Sequence, residues 1–535
     1  MECKYKEYKL KLDEDVSKLQ EEIEELRNLN DLIKENPHYN LLAGKTQLMG
    51  KEKTENARSR KKHSDNIVLQ AKRFIKLLYE TVVDDEIKDS DIYHLNLERD
   101  LLYVQIVALA HDLGHTPFGH LGERVINHKL QKMNIPEEHL NRILQNKKEM
   151  YGEEYEMQQG HVEGKTKRIS FEHNEQSAKL FFEFCKQSKI DTNKVDLQKI
   201  ISAILAHSTS RVKQEYIPKD VVAQIIRQVD KLEEYTTNDF DEIKDFIDLE
   251  TIEDKSLRDF LKLPKSEKVK ILLQNLLQET LEKGYINDEM DALEDNRKMK
   301  KIHFKNIFMM DSDGKKGLLT GENEERITLM LERIIDYYMQ NPQEVPDITF
   351  YESKPIEDDI QSQSLSLNVT GSNDVVPEEK VIDYICSMDN EKVERTYYRL
   401  VKERMLEGKG NGIEPITPDE IEEKKHEAFE KEINLIKLQE LEEGVDHSRE
   451  ECETKLIQEI QYRKDNILTE NARQRMEEVR KCHQQENQKD IELCNLLSKY
   501  DDTQNGLRDK AKEKRHLEKI EKLHEKTEEQ YPSYR

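Results

Sequence analysis

Apolar side chains recur at steps of three and four along most of this chain, and that helical period is its dominant signal. In the first 36 residues Leu12, Val16, Leu19, Ile23, Leu26 and Leu29 share one face of a charged segment. The pattern predicts an amphipathic helix that Asn36-Pro37 ends. From about 38 to 245 the apolar density rises, and its richest stretch, LERDLLYVQIVALAHDLGH, reads as a buried helix that breaks at Gly114 and Pro117. Between about 129 and 168 a polar run (QNKKEMYGEEYEMQQGHVEGKTK) is expected to loop out as an insertion. Residues 245–350 read as further helices with a turn at DSDGKKG, and 354–380, without periodicity, as a flexible loop.

Beyond about 406 the chain is almost continuously charged yet keeps a helical period. Stretches such as EIEEKKHEAFEKEINLIKLQELEEG hold too few apolar positions for a core of their own, so a long helix or hairpin packed on the core or on another subunit is expected. No strict heptad and no internal repeat is present. These readings divide the chain into an N-terminal helix (1–37), a core (38–406, with insertions at about 129–168 and 245–380) and a charged helical extension (407–535). The fold class is all-α, with any strand confined to a hairpin near Thr46–Gly50.

Composition narrows the function. Hydrophobic residues are 35% and charged residues 37% of the 535, which suits a helical protein with much solvated surface. A net charge of −26 disfavours strong binding to nucleic acid backbones or anionic membranes. It leaves room for a small polyanionic substrate, since a few Arg, Lys and a metal can reverse the field inside one pocket. The six cysteines (Cys3, Cys185, Cys386, Cys452, Cys482, Cys494) are scattered, which reads as reduced thiols, not a zinc ribbon or a disulfide frame. With no apolar leader and no stretch approaching the ~20 apolar residues of a membrane span, a soluble cytoplasmic protein is expected.

The chemistry centres on Ala110-His111-Asp112-Leu113-Gly114-His115-Thr116-Pro117-Phe118-Gly119-His120-Leu121-Gly122-Glu123. A His-Asp pair at the end of an apolar helix costs desolvation unless something binds it, and imidazole with carboxylate suits Mn, Fe, Ni, Zn or Mg. A lone His-Asp dipeptide occurs by chance in many chains. Its place after an apolar helix, with further histidines following, favours a metal site over a structural cluster. On the next helix His120 and Glu123, three apart, share a face. The carboxylate is expected to orient the imidazole and raise its pKa, as a general acid requires. Further ligands are offered by His63, near the start of a helix, and by Asp230, on a helix that starts near Asp220. Taken alone, each would read as a solvated surface group.

Four stretches resemble the deoxyguanosine-triphosphate triphosphohydrolase family of the HD superfamily. They are Gly44-Lys45-Thr46-Gln47 with Arg60-Lys61-Lys62-His63-Ser64, the AHDLGHTPFGHLGE run at 110–123, Phe171-Glu172-His173-Asn174-Glu175-Gln176-Ser177, and Asp383-Tyr384-Ile385-Cys386-Ser387-Met388. The resemblance implies an HD-type helical fold that cleaves a dNTP to deoxynucleoside and inorganic triphosphate. It implies a divalent metal (Mn²⁺ or Mg²⁺, with Fe, Ni or Zn possible) on His63, His111, Asp112 and Asp230, polarising the α-phosphate. It also implies His120 protonating the 5′-oxygen under Glu123, with His115 and His173 against the phosphates and Arg60 pairing with one. Gln47, Asn174, Tyr235 and Asp239 would meet the substrate.

One spacing departs from the family. Tyr235 and Asp239 fall five and nine residues after Asp230, where the family has four and eight. That is about 100° of helix rotation, which puts sugar recognition in question. The resemblance further implies a homo-oligomer, with a nucleotide effector or a protein partner on the C-terminal helices, acting in dNTP pool control or antiviral defence. Two other readings stand beside it: an HD phosphohydrolase of another nucleotide, and a catalytically silent scaffold or regulatory subunit.

Overall fold

The computed structural model describes residues 12–46, 59–151, 170–208, 220–233, 247–284, 324–346, 376–407, 412–442 and 448–466, with isolated residues between 236 and 299 and between 470 and 495. The described residues are helical, as the period predicts, and contain no strand. A lone antiparallel bridge joins Thr46 to Ser59. The rest of the expected hairpin, and the DSDGKKG turn, lie outside the described residues, as does all but the end of the 354–380 loop.

The first helix, α1 (Val16–Glu35), is capped by the Asp15 carboxylate, which accepts from Lys18 N at 3.1 Å. It buries Leu19, Ile23, Leu26 and Leu29 of the stripe seen in the sequence, together with Ile33, leaves Val16 exposed, and packs chiefly against α4 (Asp91–Ala110). The N-terminal helix is thus part of the main core and no separate appendage. Between them in sequence come the short α2 (Pro37–Leu41) and α3 (Arg60–Val82), the latter capped by Ser59. The second half of α4 is apolar on every side and buried from Tyr103 to Ala110 apart from Gln105. That is the signature of a central helix, and α1, α3, α8 (Leu197–His207) and α9 (Val221–Glu233) surround it. Phe74 on α3, fully buried here, illustrates the stakes: truncation to Ala should cost about 3–5 kcal/mol.

A second core forms around α5 (His120–Lys132) and α12 (Glu324–Gln340), with α13 (Pro377–Cys386) and α14 (Asn390–Glu407). Helix α12 falls inside the expected 245–380 insertion, yet Met330, Leu331, Ile334, Ile335 and Tyr338 place it at the heart of this core. Its 3,4-spaced apolar stripe is the physical reason. The expected insertion at 129–168 likewise holds a packed helix, α6 (Glu137–Tyr151). Tyr151 is buried and its hydroxyl donates to the Glu175 carbonyl at 2.7 Å on α7 (His173–Gln187), while Lys147 pairs with the Glu175 carboxylate. Two further helices, α10 (Lys255–Leu261) and α11 (Lys265–Lys283), complete the main-core side.

In the charged extension α15 (Pro418–Glu442) and α16 (Arg449–Asn466) form a hairpin closed by Ile433, Cys452 and Leu456. It is tied to α12 by Arg333–Glu420, and buried Asp490 meets Arg326 Nε at 2.6 Å. The two cores meet at the 111–123 run. Leu113 belongs to the first and Phe118 to the second, so the motif loop is where the chain crosses between them.

Candidate metal centre

Four helices deliver the centre. His63 comes from the first turn of α3, His111 and Asp112 follow the end of α4, Asp230 rides α9, and His207 ends α8. All five are buried except Asp230, which is half-buried. The His63, His111 and Asp112 ligand atoms all lie within 4.8 Å of one another, and His63 Nε2 meets Asp230 Oδ1 at 2.9 Å. The expected four-ligand set is therefore brought together from positions 63 to 230.

The chemistry of the set fits a metal ion. His111 Nδ1 donates to the Ala108 carbonyl at 2.7 Å, which fixes the tautomer, and Nε2 is buried with no hydrogen-bond partner. Burial lowers the His111 pKa, so the ring is neutral near pH 7 with a lone pair to offer. For His63 burial pulls down, but the hydrogen bond and charge of Asp230 outweigh it and the pKa is raised. Burial pushes both carboxyls up. The positive surroundings win, with His111 and Arg60 holding Asp112 well below the usual range and His63 doing the same for Asp230. Two imidazoles and two ionised carboxylates is a donor set suited to a divalent transition ion or magnesium.

Against this quartet stands a second one. His115, His120 and His173 present ring nitrogens within 4.8 Å of one another. Glu123 joins two of them: Oε2 accepts from His120 Nδ1 at 3.0 Å and Oε1 from His173 Nδ1 at 3.2 Å, with His173 N also at 3.2 Å. His120 has 64% of its side chain exposed, whereas His115 and His173 are buried. The expected rise in the His120 pKa does not survive. The Glu123 hydrogen bond raises it, but burial, Arg60 and His173 together outweigh that and the net shift is downward. Because the ring is largely exposed, Arg60 and His173 weigh more in that lowering than burial does. His173 moves the other way: burial lowers it, but Glu123 more than compensates.

Arg60 points at the metal quartet, donating from Nη1 to Asp112 Oδ2 at 3.0 Å. Asn174 donates Nδ2 to the carbonyls of Leu205 at 2.7 Å and Ser208 at 3.0 Å, so its amide hydrogens hold the end of α8 and none remains for a ligand. Gln47, Tyr235 and Asp239 lie outside the described residues.

The residue that sequence reasoning missed is His207. Its Nε2 lies 3.3 Å from His173 Nε2 and 4.0 Å from Asp112 Oδ1, inside the centre. Its Nδ1 donates to the Ile204 carbonyl at 2.6 Å, repeating what His111 does with Ala108. The signal was available: Leu-Ala-His closes an apolar helix twice, at 109–111 and at 205–207.

Local backbone makes the arrangement possible. Gly114 N donates to Ser177 Oγ at 2.9 Å, and that hydroxyl donates to the His173 carbonyl at 2.8 Å, stitching the motif loop to α7. A Cβ on Gly114 would come within 2.3 Å of Ser177 N and 2.5 Å of the Gln176 carbonyl carbon. Farther along, Phe118 adopts φ 59° and Gly119 φ 60° before α5 begins. For a bulky residue such as Phe118 that conformation costs roughly 1–2 kcal/mol. The late Asp383-to-Met388 stretch meets the same region: Gln176 Nε2 donates to Asp383 Oδ1 at 2.8 Å, and the buried Lys45 Nζ bridges the carbonyls of His115 and Cys386, each at 2.6 Å. The four stretches singled out in the sequence thus converge on one place.

No protein-family model matches the chain. Curated relatives exist. A deoxyguanosinetriphosphate triphosphohydrolase-like protein of Clostridium perfringens (strain 13 / Type A) is 24% identical over 255 residues, 46% of this chain and 59% of the relative. Proteins of the same name from Rickettsia rickettsii (strain Iowa) and Rickettsia typhi (strain ATCC VR-144 / Wilmington) are 58% and 55% identical over 40 residues, 8% of this chain and 10% of each relative. The chain spans about 59% of the length of the Clostridium relative.

Proposed function

We propose that this chain is a metal-dependent hydrolase of deoxynucleoside triphosphates, releasing deoxynucleoside and inorganic triphosphate. The observation that carries the reading is Glu123, whose two oxygens hold His120 and His173 beside a buried His/Asp quartet. A purely structural metal site closes its coordination and has no use for a carboxylate-linked imidazole pair at its side. The names of the curated relatives support the substrate class.

In this reading His63, His111, Asp112 and Asp230 hold the ion, Mn²⁺ or Mg²⁺ in the first instance. The bound ion supplies Lewis-acid polarisation of the phosphate and acidifies water. The remaining work belongs to side chains. Arg60 exchanges its contact with Asp112 for a phosphate oxygen, which its planar fork suits. His115 and His173 donate to phosphate oxygens as charge builds. As a water oxygen bonds to the α-phosphorus and the bond from phosphorus to the 5′-oxygen breaks, His120, exposed at the edge and oriented by Glu123, passes a proton to that leaving oxygen. The low pKa of free His120 is no obstacle, because a polyanion beside it favours the imidazolium and offsets Arg60 and His173.

The test is incubation of the purified protein with each dNTP and Mn²⁺ or Mg²⁺, followed by chromatography. Deoxynucleoside appearing together with intact triphosphate supports the reading. Stepwise loss of single phosphates, or no turnover with single or mixed dNTPs, overturns it.

A further inference from the structure

We propose that Asn390 is a positioning residue for His120 and Glu123, acting from α14 through the Phe118 amide at the edge of the second core. The reading of its catalytic consequence rests on the proposed hydrolase activity. The helix that carries both groups, α5, starts at His120 with Gly119 as its cap residue, and no side chain caps it from within. What precedes it includes one unfavourable residue, Phe118 at φ 59°, followed by Gly119 at φ 60°, which glycine adopts freely. Such a start persists only if neighbours hold it.

Two groups do so. Thr116 Oγ1 donates to the Gly119 carbonyl at 2.7 Å, and Phe118 N donates to Asn390 Oδ1 at 2.8 Å. The second contact spans 272 positions of sequence, whereas the first is local. Asn390 is buried and is the first residue of α14, behind Asp389, whose Oδ1 accepts from Lys392 N at 2.7 Å. Val393, Tyr397, Leu400 and Val401 anchor that helix in the second core. The carboxamide is therefore mounted on a rigid element, and its own Nδ2 reaches Thr46 Oγ1 at 3.4 Å. Release of the Phe118 amide lets Phe118 relax toward a negative φ, and the freely rotating Gly119 passes that change on as a swing of the first turn of α5. His120 and Glu123 then move together away from His173, while the metal quartet, held by α3, α4 and α9, stays in place.

The experiment compares wild type with Asn390→Ala and Asn390→Asp. The aspartate keeps an acceptor for Phe118 N, loses the long donor to Thr46 and adds a buried carboxyl beside Asp389. We would measure kcat and KM for dNTP hydrolysis, the Mn²⁺-induced thermal shift, and amide hydrogen exchange over residues 118–123. Asn390→Ala should lower kcat about tenfold to a hundredfold, with KM and the Mn²⁺ shift unchanged, and Asn390→Asp should recover most of the loss. Exchange at the 118–123 amides should quicken in the alanine variant only. Unchanged kcat, or a kcat loss matched by loss of the Mn²⁺ shift, overturns the proposal. Should wild type turn over no dNTP, the hydrolase reading fails by itself. The exchange data then decide on positioning: faster exchange confined to 118–123 supports it, and unaltered exchange sinks it.

Discussion

Replacing His111 with leucine should leave the metal-free protein about as stable as wild type and destabilise the metal-bound one. In the free centre the His111 Nε2 is buried without a partner, and an unsatisfied buried polar group costs about 1–3 kcal/mol. The variant forfeits the Nδ1 bond to the Ala108 carbonyl at 2.7 Å, worth about 0.5–1.5 kcal/mol. With His111 neutral near pH 7, Arg60 is the charge that stays beside Asp112 in the variant. The Nε2 and Nδ1 contributions together run from about 0.5 kcal/mol against leucine to about 2.5 kcal/mol in its favour. The buried Ala108 carbonyl left bare offsets the gain, so the metal-free balance lies near zero for a side chain of similar volume. With Mn²⁺ at a hundred times its Kd the wild type gains about 2.7 kcal/mol, and a variant short of one ligand does not share that gain at the same concentration. Denaturant midpoints should therefore nearly coincide in EDTA and separate in Mn²⁺, with wild type ahead. Wild type ranking first by the same margin in both conditions would refute the argument, and so would a wild-type midpoint that ignores Mn²⁺.

Three other perturbations have expected outcomes. Glu123→Gln should keep the Mn²⁺-induced thermal shift and lower kcat about 10²- to 10³-fold, since His120 and His173 lose their shared carboxylate; a fully active variant would remove Glu123 from the mechanism. Gly114→Ala should cost about 1–3 kcal/mol or more in equilibrium unfolding, because the atoms its Cβ meets at 2.3 and 2.5 Å are backbone and cannot swing aside. Acid should destabilise the fold through His38, whose pKa is pushed down to about 3 by burial and by the charges of Lys45 and Lys392. Its folded pKa lies below its unfolded value of 6.5, so the unfolded chain binds the proton first. Stability is then intact above pH 6.5 and falls toward pH 3, by up to about 1.4 kcal/mol per unit. Melting curves of His38→Gln should show a shallower fall. His207, also held at about 3, supplies part of the remainder, and identical pH profiles for the two proteins would discount His38.

Much of the fold was legible because helical period is a local property. The stripe from Leu19 to Ile33 and the all-apolar end of α4 say where those helices pack before any contact is known. His111 and Asp112 were legible as a candidate metal pair for another reason: buried His and Asp need a partner, and dense histidines after an apolar helix betray one. His63 and Asp230, by contrast, were reached only through the family resemblance. What stayed hidden depends on contacts between distant segments. Nothing near Asn390 hints that it meets the Phe118 amide, and Asn174 reads as a ligand-facing residue until the end of α8 is seen to occupy it. The stripe of α12 was readable, but nothing in it tells a core helix from an amphipathic insertion until α5 and α14 are brought against it.

His207 lies between these cases, and the reason it was missed is instructive. One histidine at the end of an apolar helix is more often a satisfied core residue than a ligand, so the residue taken alone argues for nothing. The last-turn carbonyls of a helix have no intrahelical partner, and a histidine just beyond can give them its Nδ1 hydrogen. Both Leu-Ala-His sites do this, to Ala108 and to Ile204, and in each the ring is thereby fixed as the tautomer that bares Nε2. The apolar helix supplies the desolvation that keeps both rings neutral, with His207 at about 3 and His111 also lowered. A helix end of this kind orients a metal or phosphate contact without any further side chain. Its occurrence twice in one chain, with the two rings 4.9 Å apart, is the stronger evidence that the second histidine belongs to the centre.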